Sequence, residues 1–361
     1  MSKARSLADR AGDLFRKAEV EARAPAPSLA NALKFLRTNA AGTGREEAAL
    51  DLGIKRSART ANLVLTKADQ GKHIDITSGT FTQTFDAAAT LGDGWFCYLR
   101  NSGTGDVTLD PTGSETIDGL ASFISYPGEV RLIQCDGISL RSIVIAPFLK
   151  TFIASDNFIK PPGYSKFQGM IWAGGAGGQK VNSSSVQGGG GGGSFPFDIP
   201  ASILSASSPV IVGSGGAPST TNGVQYAGGN SSFGGITVKG GDQNYGGSVY
   251  VTDRSGNLFM YQQNDAFGFP QSNTQNTIYG GLSVGAANEG GTIYGGACGG
   301  MVGSNLLKAP GRSIFGGGGG IASFAGNGTD GQAPGGGGGA TQTGAQSGAG
   351  GRGQVEIRGV A

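Results

Sequence analysis

The sequence predicts a multidomain chain, mainly β and fibrous, with short N-terminal helices, a small antiparallel β domain and a glycine-rich C-terminal domain. Apolar residues recur at helical spacing before residue 60 and alternate with polar residues between 61 and 150. Of the 70 glycines among 361 residues, 56 follow residue 150. These changes in pattern place the helices at 1–60, the antiparallel β domain at 61–150, a linker at 151–162 and the glycine-rich domain at 163–361.

The N-terminal region contains three apolar stripes of helical spacing. The first runs from Leu7 to Ala22 and ends before a proline-rich interruption. The second follows Ser28, a residue type that caps helices, and the third begins with a capping box at Thr43 and Glu46. Short, narrow stripes need a partner surface, so we expect this region to mediate oligomerisation with sister chains or attachment to another protein. Packing on the next domain is the alternative.

The middle region alternates apolar and polar residues over short runs that are separated by turn residues. Trp95, Cys97 and Leu99 would face one side of such a strand and Phe96 and Tyr98 the other, which predicts a strand buried on both faces. This pattern favours a second layer or a subunit interface. The strand-like runs are ANLVLT, HIDIT, TFTQTF, GWFCYL, DVTLDP, EVRLIQC and SIVIA.

The glycine-rich region could be a flexible linker, because glycine loses the most backbone entropy on ordering. Two features favour order instead: apolar clusters are interleaved with the glycines, and strand-like segments begin and end the region. We expect those segments, Lys166–Trp172 and Gln354–Val360, to pair by backbone hydrogen bonds. Glycine also lets extended, polyproline-II-like segments approach closely. Gly190, Gly318 and Gly337 stand in the three pure glycine runs and are expected to be structural.

The glycine-rich region contains a series of motifs in a fixed order: WAGGAGG at 172–178, SFPFDIP at 194–200, PVIVGSGG at 209–216, SSFGG at 231–235 and the closing GAGGRGQVEIRG. This order resembles the glycine-rich domain of bacteriophage tail proteins. The middle region, with GWFCYLRNSGTGDVTLDPTGSETIDG, is also similar to tail-fibre sequence, and REEAALDLG is similar to short helices of fibre shafts. The resemblance implies a polyglycine-II-like lattice capped by recognition loops, in a homotrimeric receptor-binding protein.

Residue types suited to catalysis are few. The only histidine, His73, stands in a strand-like run, so a histidine-based triad is not expected. GNGTDG at 326–331 fits a nucleotide-binding pattern by letter, but no strand precedes it and no helix follows. Cys97 and Cys135 are expected to be buried free thiols, and three scattered cysteines suggest neither a disulfide framework nor a zinc site. We therefore expect no catalytic residue, metal or cofactor.

Glycan cleavage is an alternative that would need two facing carboxylates. The sequence does not show whether any two acids of the glycine-rich region face each other, and isolated surface acids are the simpler interpretation. The candidates are Asp198, Asp242, Asp253, Asp265, Glu289, Asp330 and Glu356.

The segment from about 241 to 300 has few long glycine runs and many aromatic residues among Asn, Gln and Ser. Tyrosine offers a large contact area at low entropic cost, and small polar residues adapt to a ligand. The mixture suits a recognition surface, and the alternative is that the rings fill a small core. The receptor-contact candidates are Tyr245, Tyr250, Tyr261, Tyr279 and Tyr294.

The sequence as a whole favours a virion tail-fibre protein that binds lipopolysaccharide, capsule or an outer-membrane protein on a bacterial surface. Tail or baseplate proteins are the expected partners of the N-terminus. A net charge of +2 gives no electrostatic case for nucleic acid. We find no signal peptide and no membrane span, so synthesis in the host cytoplasm is expected. A purely structural tail component and a polysaccharide depolymerase are the alternatives.

Overall fold

The computed structural model describes residues 34–38, 45–49, 53–182, 186–242, 249–252, 258–261, 291–303 and 306–361. The chain divides into two units, Met1–Lys55 and Arg56–Ala361. The described residues are mainly β, in several small sheets, as the sequence predicts.

The first unit contains an antiparallel pair of strands, β1 (Lys34–Thr38) and β2 (Arg45–Ala49). The predicted second and third helices are therefore wrong where the backbone is described. The backbone register sets Arg37 opposite Glu46. The first predicted helix lies outside the described residues.

The second unit begins with a middle domain of two sheets. A five-stranded sheet has the order β10-β9-β6-β4-β3, and a three-stranded sheet has the order β5-β7-β8. A 3-10 turn at Lys67–Asp69 and a one-turn helix, α1, at Ala88–Leu91 connect strands. The strands are β3 (Arg56–Arg59), β4 (His73–Ile76), β5 (Phe81–Thr84), β6 (Phe96–Asn101), β7 (Val107–Asp110), β8 (Phe123–Ser125), β9 (Val130–Cys135) and β10 (Leu140–Ala146).

The middle domain is not purely antiparallel, which corrects the prediction. The pairs β3–β4, β4–β6 and β5–β7 are parallel. Parallel neighbours need a crossover rather than a hairpin, and the chain supplies one each time, with residues 60–72 between β3 and β4. The predicted strand ANLVLT is an extended segment with a single bridge, from Leu65 to Phe85. The other six predicted runs each contain a strand.

Strand β6 shows the predicted division of its faces. Trp95, just before β6, and Cys97 and Leu99 within it are buried in the core between the two sheets. Phe96 and Tyr98 are half-buried on the other face, with their ring centroids 6.1 Å apart in an edge-to-face arrangement. The second face is thus apolar but only partly covered within one chain.

The glycine-rich domain contains several small sheets. A four-stranded sheet has the order β11-β24-β13-β14, a second has the order β16-β17-β18-β19, and the other strands pair as β12-β15, β20-β23 and β21-β22. The strands are β11 (Leu149–Phe152), β12 (Asp156–Ile159), β13 (Lys166–Trp172), β14 (Ser194–Pro200), β15 (Ser207–Val210), β16 (Ser231–Phe233), β17 (Ile236–Val238), β18 (Val249–Thr252), β19 (Leu258–Tyr261), β20 (Gly291–Thr292), β21 (Met301–Gly303), β22 (Leu306–Lys308), β23 (Arg312–Ser313) and β24 (Gln354–Val360).

The predicted closure of this domain is confirmed. Strands β13 and β24 are antiparallel along their full length, with Lys166 opposite Val360 and Trp172 opposite Gln354. The predicted linker at 151–162 is wrong, because β11 pairs with β24 and β12 with β15. Their side chains Phe152 and Phe158 are buried in the same core as β13, so this segment is part of the glycine-rich domain.

Aromatic side chains form the core of that domain. The Phe158 ring lies 5.1 Å from that of Phe167 and 5.7 Å from that of Phe233, edge to face in both cases. Phe148 and Tyr126 complete one side of the cluster, with centroids 5.0 Å apart. Large rings are needed here because glycine-rich segments supply few apolar side chains.

Candidate functional site

The extended segment 173–179 shows how the glycine runs pack. Its successive N–H groups donate in three directions, and each direction recurs every third residue. Gly174 and Gly177 donate to the segment 226–229, Gly175 and Gly178 to 348–351, and the remaining three residues to 187–193. Three residues per turn is the period of the polyproline-II helix, which forms no internal hydrogen bonds and so leaves every backbone group available to a neighbour.

The segment 334–341 is surrounded by six described segments. Its N–H groups donate to 176–179, 297–300 and 329–332, and its carbonyls accept from 189–192, 317–320 and 348–351. We call the whole set of hydrogen-bonded extended segments the glycine bundle. It comprises 173–179, 186–193, 213–217, 226–230, 239–242, 295–302, 316–322, 327–332, 334–341 and 347–353.

Close approach explains the glycines of the bundle. A Cβ on Gly337 would lie 2.0 Å from the carbonyl oxygen of Gly189, and one on Gly319 would lie 1.8 Å from that of Cys298. Gly190 is buried and its carbonyl accepts from Ala176. Gly318 differs from the expectation, because a Cβ there would meet only the side chain of Gln332, at 3.1 Å.

The bundle has a near end and a far end. At the near end, three segments continue directly into β13, β14 and β24. The backbone pairings place several reversals of the chain at the opposite, far end. We call three of these reversals the far-end loops, namely 218–225, 323–327 and 342–347.

Buried charges join the near end to the middle domain. Arg131 of β9 donates a 2.7 Å hydrogen bond to Glu129, and both side chains are completely buried. From the glycine-rich side, the Tyr164 hydroxyl donates to the same Glu129 oxygen at 2.6 Å, and the Pro162 carbonyl accepts from Arg131 at 2.9 Å. The near end is therefore fixed to the rest of the chain, and the far-end loops point away from it.

A four-residue turn recurs at both ends of the bundle. A Ser or Thr hydroxyl accepts the N–H of a glycine three residues later, at 2.8–3.0 Å. The spacing, a Ser or Thr followed three residues later by Gly, is visible in the sequence but was not among the predicted features. The turns are Thr292 to Gly295 and Ser313 to Gly316 near one end, and Ser323 to Gly326 and Thr341 to Gly344 at the far end.

Hydrogen bonds hold the far-end loops to one another. The Phe324 carbonyl accepts from both the backbone N–H and the hydroxyl of Thr343, each at 2.9 Å. The Asn327 amide oxygen accepts from the N–H of Gln346 at 3.1 Å. The Ser219 carbonyl accepts the N–H of Ser347, and the N–H of Ser219 donates to the Ser347 hydroxyl. The loops therefore form one cross-linked surface, which lowers the entropic cost of binding a ligand.

Of the predicted receptor-contact tyrosines, Tyr294 is the one whose side chain the structure describes. Tyr294 lies at the near end, where its ring stacks on Phe315 at 5.0 Å and its carbonyl accepts the Trp172 indole N–H at 2.7 Å. Tyr250 and Tyr261 are described only by their backbones, in β18 and β19. Tyr245 and Tyr279 lie outside the described residues.

The acidic residues of the glycine-rich domain that the structure describes each make separate hydrogen bonds. Lys166 and Gln168 each donate to Asp198 at 2.7 Å, and these hydrogen bonds lower the pKa of Asp198. Gln354 donates to Glu356 at 2.7 Å. The Asp330 carboxylate accepts a backbone N–H at 2.7 Å, and the Asp242 carbonyl accepts that of Gly190. Asp253, Asp265 and Glu289 lie outside the described residues.

The other residues that the sequence analysis considered for catalysis or ligand binding have positions that the fold explains. His73 is half-buried in β4, and Cys97 and Cys135 are buried free thiols as predicted. The run 326–331 belongs to a far-end turn and a bundle segment, without a preceding strand or following helix. Within the described ranges, no three His, Cys, Asp or Glu side chains are grouped to hold a metal, and no helix there is long and apolar enough to cross a membrane.

Comparison with known proteins adds one match. No curated protein matches the chain. A family model described as a glycine-rich domain matches residues 153–359, more than half of the chain. The matched range contains the whole glycine bundle and nearly all of the closing pair β13–β24. The chain therefore belongs to the family defined by this glycine-rich domain.

Proposed function

We propose that this protein is a tail-fibre component of a tailed bacteriophage that binds a receptor on the bacterial surface during adsorption. The observation that carries the proposal is the glycine bundle, which is fixed at one end to the middle domain and presents cross-linked loops at the other. Such an arrangement suits an adhesin, because a rigid support orders the contact surface before the ligand arrives.

The bundle segments are, on this proposal, polyglycine-II helices. The three-residue period of the donor directions and the six neighbours of segment 334–341 support this assignment. The collision of a Cβ at Gly337 with a neighbouring carbonyl supports it further. The motif order that resembles phage tail proteins provides the link from this architecture to a virion.

The proposal assigns residues 1–60 to tail or baseplate attachment and to assembly as a homotrimer. A two-stranded hairpin such as β1–β2 is marginally stable by itself, so an assembled partner would stabilise it. The half-covered apolar face of β6 also suits a subunit contact. Light scattering at micromolar concentration tests this part, and a monomer would contradict it.

Adsorption is the direct test of the proposed function. The purified full chain is expected to bind cells of the host and to compete with infection by the phage. The receptor would be lipopolysaccharide, capsule or an outer-membrane protein. A purely structural tail component would be found in the virion yet bind no cells, and a depolymerase would release reducing ends from host polysaccharide.

Alanine at Tyr245, Tyr250, Tyr261 and Tyr279 tests whether the aromatic segment takes part. We expect weaker adsorption with an unchanged unfolding temperature, because exposed recognition side chains contribute little to folding. Ile138→Ala is the control, since Ile138 is an exposed apolar side chain of the middle domain. Loss of stability in step with adsorption would instead make these tyrosines core residues.

A further inference from the structure

The far-end loops are free of ionisable side chains. No Asp, Glu, Lys or Arg occurs in 218–225, 323–327 or 342–347. The cation beside them, Lys180, directs its Nζ to the Ala345 carbonyl at 3.0 Å. The exposed polar groups of the loops are hydroxyls and amides, carried by Thr220, Thr221, Asn222, Asn327, Thr343 and Gln346.

Two of these loops, which hydrogen bonds tie together, carry an aromatic ring and exposed amide groups. Phe324 is half-buried and packs against a small apolar cluster that includes Val302 and Ala322. The bonds from Thr343 to Phe324 and from Gln346 to Asn327 hold the two loops in register. The side-chain amide of Gln346 is exposed and makes no hydrogen bond to the described part of the chain.

We infer that the far-end loops bind an uncharged saccharide. The Phe324 ring would pack against the apolar face of a sugar, and the amides of Asn327 and Gln346 would bond to its hydroxyls. The inference rests on the proposed function and names the class of its receptor.

Charge and contact area both favour this ligand. An anionic polysaccharide would bring carboxylates or phosphates to loops whose own side chains are neutral, and the neighbouring Lys180 already donates to the Ala345 carbonyl. Burying a charge without a partner is unfavourable. A protein partner would need a larger apolar centre than one half-buried ring. The neutral hydroxyls of a sugar, in contrast, can each donate to or accept from an amide or hydroxyl group of the loops.

The first experiment compares two kinds of immobilised polysaccharide from the bacterial surface, uncharged O-polysaccharides and acidic capsules. We expect the full chain to bind an uncharged polysaccharide. Binding should change little between about 0.05 and about 0.5 M NaCl, a range that shortens the Debye length roughly three-fold. Binding confined to acidic polysaccharides, or lost at the higher salt, would overturn the inference.

Substitutions in the far-end loops test whether the saccharide binds there. Gln346→Ala keeps the backbone bonds of Gln346 and is expected to weaken binding about tenfold, as is Phe324→Leu. Gln134→Ala removes an equally exposed amide from β9 of the middle domain and serves as the control. Unchanged binding by both far-end variants would refute the inference, and circular dichroism and unfolding temperature confirm that each variant is folded.

Cell binding separates this inference from the proposed function. Mild periodate treatment of host cells, which cleaves sugar diols, should abolish binding, whereas protease treatment should not. The reverse result would identify a protein receptor and overturn the saccharide inference while leaving the adhesin function intact. Absence of binding to untreated host cells would overturn both.

Discussion

Gly337 and Gly189 lie so close that a Cβ on Gly337 would be 2.0 Å from the Gly189 carbonyl oxygen. The two residues belong to neighbouring bundle segments, and the N–H of Gly189 donates to Gly338. A methyl group at Gly337 would therefore push two hydrogen-bonded segments apart in the interior of the bundle.

Gly337→Ala is accordingly expected to destabilise the glycine-rich domain by about 3 kcal/mol, at the upper range for overpacking. Gly318→Ala is the matched control from another pure glycine run, because its Cβ would meet only the mobile end of Gln332. That change should alter stability by less than about 1 kcal/mol. Urea unfolding of the two variants measures the difference. Equal effects would mean that the bundle is a flexible linker.

Removal of the last eight residues, 354–361, should make the whole glycine-rich domain sensitive to protease. These residues include all of β24, which hydrogen-bonds to β13 on one side and β11 on the other. Loss of a central strand exposes two edges and the aromatic core. Limited proteolysis tests this, with deletion of Ala361 alone as the control. A truncated protein that stays resistant would show that the bundle is stable without the closing sheet.

The ion pair at the domain junction should be worth far more than a surface pair of equal length. Arg131→Met leaves the buried Glu129 carboxylate without its cation and should cost about 3–5 kcal/mol. The 2.7 Å pair between Lys166 and Asp198 is exposed, so Lys166→Met should cost less than about 1 kcal/mol. Thermal unfolding compares the two, and similar losses would contradict the burial of the junction.

Thiol reactivity should report on unfolding of the middle domain. Burial raises the pKa of the Cys97 and Cys135 thiols, which holds them in the unreactive neutral form at pH 8.5. We expect both to resist alkylation until denaturant exposes them, while a cysteine introduced by Asn222→Cys reacts at once. Mass spectrometry of the labelled peptides identifies each site. Fast labelling of Cys97 in the folded chain would be inconsistent with the core.

Several parts of the fold follow from local pattern. Alternation in GWFCYL predicted β6 and its faces, because the side chains of a strand alternate whatever its neighbours are. The strand-like ends of the glycine-rich region predicted the pairing of β13 with β24, since a closed domain brings its termini together. Glycine runs separated by apolar clusters predicted order rather than a linker.

Other parts depended on tertiary contacts that no local pattern records. The helical pattern predicted after Ser28 was overridden, over residues 34–38, by pairing of β1 with β2. Parallel pairing in the middle domain depended on how the crossovers pack, and the segment 151–162 became strand because β24 and β15 offered it partners. Gly318 and Gly337 are alike in sequence, and only their neighbours distinguish them.

The candidate site divides in the same way. The sequence by itself determined that the chain has hydroxyl, amide and aromatic groups for recognition and little material for catalysis. Tertiary structure alone decided which of them meet, because the far-end loops are brought together by segments far apart in the chain. Phe324 and Thr343 are neighbours in space since each follows a bundle segment that reverses at the same end, whereas Tyr294 stands at the near end. Residue type sets the chemistry of a site, whereas long-range backbone pairing decides which residues come together in it.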